Sequence, residues 1–183
     1  MGPCPDEERC ITLRWRGRDE ELFIIAPLTH SVGHEREEMK AIYTLSIECV
    51  FGAYLKERFH RTVEVPSDMT LGDLHYFMQE LTGFDDDHLS TFYMANKFPG
   101  KKTWFTETGE SDDDDEAMWS IPLARVFPLE KNKKLYYWFD FGDDWTFEIR
   151  KRGKEFPPTP GMEYPHVIHE EGPKPEQYPS FEE

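Results

Sequence analysis

The run "VEVPSDMTLGDLHYFMQELTG", residues 63–83, constrains this chain more tightly than any other stretch. It opens as the end of a strand: Phe59, Arg61, Val63 and Val65 alternate with His60, Thr62 and Glu64, so one side is apolar. Pro66 stops it, because proline has no N–H to give a ladder. Helix punctuation comes at once. Thr70 stands three residues before Asp73, a capping-box spacing with Asp in place of Glu, and Gly83 supplies the stop. Between them Leu71, Leu74, Phe77, Met78 and Leu81 fall on one stripe. A striped helix directly after a one-sided strand needs a sheet to bury both faces.

The rest of the chain supplies strands. In "MKAIYTLSIECVF" the residues Tyr43, Leu45, Ile47 and Cys49 alternate with Thr44, Ser46 and Glu48. "HLSTFYMA" reads as a third strand with Leu89 and Phe92 as anchors. "SIPLARVF" suits one or two helical turns, with Ser120 competent to cap them. "KLYYWFDFGDDWTFEIRK" predicts a hairpin of strands 134–140 and 145–151, Gly142 providing the positive φ of its tight connection. Residues 155–183 are rich in proline, which excludes a central strand or long helix and predicts an extended strap pegged by Tyr164, Val167, Ile168 and Tyr178.

Charge and composition narrow the function classes. The 183 residues carry 21 Lys and Arg against 37 Asp and Glu, a net charge of −16, which repels phosphate backbones and anionic lipids. Direct nucleic-acid binding and membrane binding are therefore not expected, and a protein partner with a basic surface is. The acidic run within 106–118 reads as a solvated loop, without the spacing or glycine of a calcium loop. Small basic clusters remain at Lys97, Lys101 and Lys102 and at Arg150, Lys151, Arg152 and Lys154. Three cysteines, Cys4, Cys10 and Cys49, fit neither a disulfide framework nor the usual zinc-pair spacing. The opening residues lack the features of a secretory signal, and no apolar run approaches ~20 residues, so a cytoplasmic location and no cofactor are expected. Residues 1–38 differ in kind from the remainder of the chain, with short apolar runs scattered among charges. Because "MKAIYTL" reads like a natural start, they are expected to be an arm outside the native domain, with 39–154 as the domain body and 155–183 as its strap.

The order strand, strand, helix, strand, short helix, strand, strand is that of the ubiquitin-like β-grasp plan. The expected fold is α+β: a mixed sheet, one main helix packed on one face, a short second helix and a Pro-rich C-terminal strap. A closer resemblance runs over residues 41–183. "YTLSIEC", "FHRTVEVP" followed by "TLGDLHYFMQ", "HLSTF", "LYYWFDFGDDWTFEI" and "YPHVIHEEGPKPEQYP", in that order, are similar to the plasmid pRiA4b ORF-3-like family. Phe59-His60 stands where the family tends to have a Trp-Arg pair, leaving Arg61 as the matched arginine, and Ser90 takes a place often held by a second histidine. The resemblance implies an association with plasmids and mobile elements and no established reaction.

"WFDFGDDW", residues 138–145, concentrates the candidate chemistry. Asp140, Asp143 and Asp144, brought near His75 and His88, would offer carboxylates and imidazoles for a divalent metal or acid–base work, with Asp140, Asp143 and His88 as the ligands. The simpler expectation is a turn whose aspartates bond the local backbone, with Trp138 and Trp145 pairing across the strands or covering the helix and Arg61 bridging to an aspartate. Two functions of different class are open to such a chain. The favoured one is a non-enzymatic protein-interaction or accessory module. The alternative is a metal-assisted hydrolase or nuclease built on the Asp/His cluster.

Overall fold

The computed structural model describes residues 41–105 and 118–179. The expected N-terminal arm with Cys4 and Cys10, the start at Met39 and the acidic loop up to residue 117 lie outside the described residues. The elements run β1 (Ile42–Phe51), β2 (His60–Pro66), α1 (Leu71–Thr82), β3 (Ser90–Ala95), β4 (Thr103–Trp104), α2 (Leu123–Val126), β5 (Lys134–Phe139), β6 (Trp145–Phe156) and β7 (His166–Glu171). The strands form one sheet in the order β4-β3-β5-β6-β1-β2-β7, with every pair antiparallel.

This overturns the α+β, β-grasp-like expectation. The sheet is not mixed, and the helices, of twelve and four residues, are small beside seven strands. The fold is sheet-dominated rather than one defined by a main helix on a sheet. Two connections explain the difference. The β5–β6 hairpin lays β6 antiparallel against β1, where a β-grasp plan needs a parallel partner. Segments expected as loop and strap then contribute edges, β4 beside β3 and β7 beside β2. Pro165 and Pro173 flank β7 outside its paired residues and so remove none of its ladder donors.

Local rules held where they were strongest. Thr70 and Asp73 make the reciprocal capping box, and Gly83 closes α1 in the left-handed region at φ 78°. The short helix lacks the expected Ser120 cap, since Pro122 holds that position without a side-chain bond. Leu89 is 74% exposed and anchors nothing, whereas Phe92 is buried. The inner face of β1, β2, β5 and β6 contributes Leu45, Ile47, Val63, Val65, Tyr137, Phe139 and Phe147 to the core, and the buried apolar side chains of α1 join the same cluster. The strap is tied down by polar groups. Gln177, buried, accepts from the Asp85 N–H (2.7 Å) and donates to Asp87 Oδ1 (2.9 Å), and Lys174 donates to the Glu80 carbonyl at the end of α1 (2.7 Å). Val167 packs on the core, but Ile168 and Tyr178 are exposed.

Cys49 lies in this core, and burial pushes its thiol up to about 12. Thiolate is the reactive form, so alkylation of Cys49 in the folded chain at neutral pH should run roughly a thousandfold slower than for an ordinary cysteine. Mass mapping of the Cys49 peptide after iodoacetamide treatment, with and without urea, checks this; equal labelling would contradict the burial.

Candidate functional site

The β5–β6 connection is a five-residue turn whose geometry is set by aspartates. Positive φ falls on Asp140 (51°) and Asp144 (55°) and not on Gly142, contrary to the role expected of the glycine. Aspartate tolerates this region because its short side chain can bond the backbone nearby. Asp140 Oδ1 accepts from the N–H groups of Gly142 (3.0 Å) and Asp143 (3.3 Å), and the Asp144 N–H donates to the Asp140 carbonyl (2.7 Å). The Asp143 carbonyl accepts from the Ala53 N–H (2.8 Å). These bonds fix the loop and leave Asp140 buried.

The two histidines go to different partners. His88 Nε2 lies 3.6 Å from Asp140 Oδ2 and 2.8 Å from the Tyr178 hydroxyl, which donates its proton to Asp87 Oδ2 (2.5 Å). That bond holds the Asp87 carboxyl below the ordinary carboxylate range. His75, buried on α1, instead joins a network on the inner face. Its Nε2 is 3.1 Å from Asp86 Oδ1 and its Nδ1 is 2.7 Å from the Tyr137 hydroxyl, which also accepts from Gln79 Nε2 (3.0 Å). Ser90 Oγ stands 3.3 Å from the same Nδ1, farther than the phenol. Burial and the Asp86 charge raise the Tyr137 hydroxyl's pKa. The network braces α1 against β5.

Arg61 does not reach the turn aspartates. It is buried on β2, with its guanidinium over the Phe59 ring (4.3 Å), donating to the Glu171 carbonyl (3.0 Å) and lying 3.5 Å from Glu170. Trp145 is fully buried on the inner face, edge-on to Phe84 at 4.8 Å. It does not pair with Trp138, because the ladder sets Trp145 against Phe139 and Trp138 against Thr146.

Trp138 projects from the outer face and belongs to a different constellation. Register places Tyr93 of β3 beside Trp104 of β4, and the neighbouring Thr91 beside Trp138 of β5. The three rings surround the Lys102 ammonium, which sits 3.0 Å from the Trp138 centroid, 4.8 Å from Tyr93 and 5.7 Å from Trp104. The Trp138 indole N–H donates to Asp144 Oδ1 (3.0 Å), which fixes the ring's orientation, and Phe141 packs on it at 4.2 Å. Burial lowers the Lys102 pKa, opposed by the Asp144 charge. Thus "WFDFGDDW" supplies one wall and the carboxylate of an aromatic cage around a cation. Sequence reasoning missed Tyr93 and Trp104 and placed Lys102 only in a small basic cluster. The strand alternation that puts Tyr93 opposite Phe92 was available, but the β4 partner sits in a stretch with the composition of a loop.

The fold is a sheet-dominated, all-antiparallel domain with an aromatic cage on its outer face. Residues 43–177 match the sequence profile of the plasmid pRiA4b ORF-3-like proteins, and the chain belongs to that family. It is similar in structure to a crystallised protein of unknown function from Methanosarcina mazei Go1, with a TM-score of 0.55 and 27% identity, over 72% of this chain and 70% of that one. No curated protein matches the chain. No helix among the described residues is long and apolar enough to cross a membrane.

Proposed function

We propose that this chain is a non-enzymatic interaction module that takes a cationic side chain from a basic protein partner into the cage of Tyr93, Trp104 and Trp138. The observation that carries the reading is Lys102 itself. Its ammonium already occupies the aromatic walls, so the site has the shape and electrostatics to hold a lysine-like cation, and Lys102 acts as an internal stand-in that a partner displaces. Trp104 and Phe141 are 46% and 42% exposed, which leaves the rim open to an approaching chain. The net charge of −16 steers basic segments toward it and disfavours nucleic acid. The family is named after a plasmid reading frame, and an accessory role beside a plasmid or mobile element, within the cytoplasm, is part of this proposal.

The Asp/His cluster supports no second reading. Asp140 gives Oδ1 to the turn and, among the described residues, meets only His88 through Oδ2, at 3.6 Å, while His75 is held by Asp86 and Tyr137 and Arg61 stays at the β2–β7 edge.

Titration of the full chain with lysine- and trimethyllysine-containing basic peptides tests the proposal. Trp138→Ala should weaken binding by about thirtyfold, the equivalent of ~2 kcal/mol for a desolvated cation over indole. Lys102→Ala should tighten it several-fold by vacating the cage. Binding indifferent to both substitutions, or absent for every cationic peptide, would remove the cage from the function.

A further inference from the structure

A second constellation lies at the other end of the sheet. His169 and Glu171 are two residues apart on β7, so the period of a strand projects them from one side. The β2–β7 ladder sets Glu171 opposite His60 and His169 opposite Thr62, which brings the His60 ring between them. One ligating atom from each of the three side chains lies within 4.8 Å of the others, and the His60 and His169 ring centroids are 6.2 Å apart. Among the described residues this is the one group of three or more such side chains with that proximity.

The donor set and its support are those of a metal site. His60 Nε2 is 2.9 Å from Ser46 Oγ, while its buried Nδ1 has no hydrogen-bond partner among the described residues. When His60 Nε2–H donates to the Ser46 hydroxyl, Nδ1 keeps its lone pair, the arrangement found behind a ligating histidine. Two imidazoles and one carboxylate favour a zinc-class ion over calcium or magnesium, which prefer oxygen throughout. Zinc bonds of 2.0–2.2 Å place tetrahedral donors about 3.3 Å apart, so donors up to 4.8 Å apart must draw in by as much as about 1.5 Å. His169 and Glu171 are exposed and free to do so. The main opponent is Arg58, which donates to Glu171 Oε1 (2.7 Å) and to Glu48 Oε1 (3.1 Å). Its side chain is 54% exposed, and Glu48, opposite His60 across β1–β2, retains it when Glu171 turns to a metal.

We infer that His60, His169 and Glu171 form a three-ligand site for a zinc-class divalent cation that fastens the edge strand β7 to β2 and leaves one coordination position open. The site is separate from the aromatic cage and does not depend on it. Calorimetric titration of the tag-free full chain with zinc, after chelator treatment and dialysis, should give one equivalent, and cobalt should give the visible absorption of a tetrahedral centre. His169→Ala should weaken zinc binding at least a hundredfold and Glu171→Gln at least tenfold, with the melting temperature of the metal-free chain unchanged in His169→Ala and lowered in Glu171→Gln only by the small share of its exposed ion pair with Arg58. Zinc should raise the wild-type melting temperature and leave that of His169→Ala where it was. No uptake at low micromolar zinc, or uptake undiminished in both variants, would overturn the site. Because both side chains are exposed, either variant remains informative should the other fail to fold.

Discussion

Trp145→Ala should cost about 3–5 kcal/mol of stability, a fifth or more of the roughly 5–15 kcal/mol that a domain commonly has. The side chain is fully buried in the inner core, edge-on to Phe84, and it begins β6 at the exit of the aspartate turn. The fit is close enough that a Cβ built on Gly52 would lie 2.2 Å from the indole Cε3, so at this position the backbone of the β1–β2 connection rests directly on the ring. Removing the indole leaves a void that the β1–β2 connection and Phe84 cannot both fill. Trp145→Phe should cost much less, because the indole N–H has no hydrogen-bond partner among the described residues and most of the apolar contact survives. Gly52→Ala should be destabilising by about 1–3 kcal/mol through overpacking against the same ring. Urea denaturation gives all three values. An unchanged midpoint in Trp145→Ala would remove this residue from the core and return it to the functional candidates. With the structural role, cationic peptide affinity stays constant in Trp145→Phe while it collapses in Trp138→Ala, although the two tryptophans flank one turn.

How much of this is legible in the sequence depends on the range over which each signal acts. The helix Leu71–Thr82 is readable to the residue, because Thr70, Asp73, Gly83 and the apolar stripe are local and mutually consistent. The alternation in β1, β2 and β6 is equally plain. Strand partnership is not, since a period of two says which face a residue takes and nothing about its neighbour. Thus β4, two residues long, vanishes into a loop, and the proline-flanked β7 reads as a strap. The same gap hides both sites. Tyr93, Trp104 and Trp138 meet only because β4, β3 and β5 are adjacent, and His60 meets Glu171 only through the β2–β7 register. In the other direction, the density of aspartates in "WFDFGDDW" points to chemistry, although Asp140 serves the turn and Asp144 an indole. Short-range hydrogen bonding satisfies those groups before any long-range convergence is needed.

On the outer face, Glu148→Gln should destabilise the chain by about 1–3 kcal/mol at neutral pH and should also remove part of its acid sensitivity. Glu148 is only 5% exposed, yet it accepts from Lys134 Nζ (2.9 Å) and the Tyr136 hydroxyl (2.8 Å) and pairs with Arg150. Burial alone would raise this carboxyl, but the bonds from Lys134, Tyr136 and Arg150 outweigh it and hold the pKa below its ordinary 4.5. Glutamine keeps an acceptor for the phenol and loses both ion pairs. The loss stays below the ~3–5 kcal/mol of a broken fully buried pair, because the Lys134 and Arg150 side chains are 30% and 42% exposed and can rehydrate. The sign of the pH effect is set by the depressed folded value. The contribution is complete above the unfolded-state pKa near 4.5 and disappears as pH falls through the lower folded-state value. Acid also relieves the self-repulsion of a chain with net charge −16, so the absolute stability of either protein mixes two opposing trends. Their difference isolates Glu148, because the remaining carboxylates are common to both. Denaturation midpoints compared from pH 7 to pH 3 should therefore converge below about pH 4.5, and a gap that stays constant over that range would mean that the Glu148 carboxylate adds nothing through its charge.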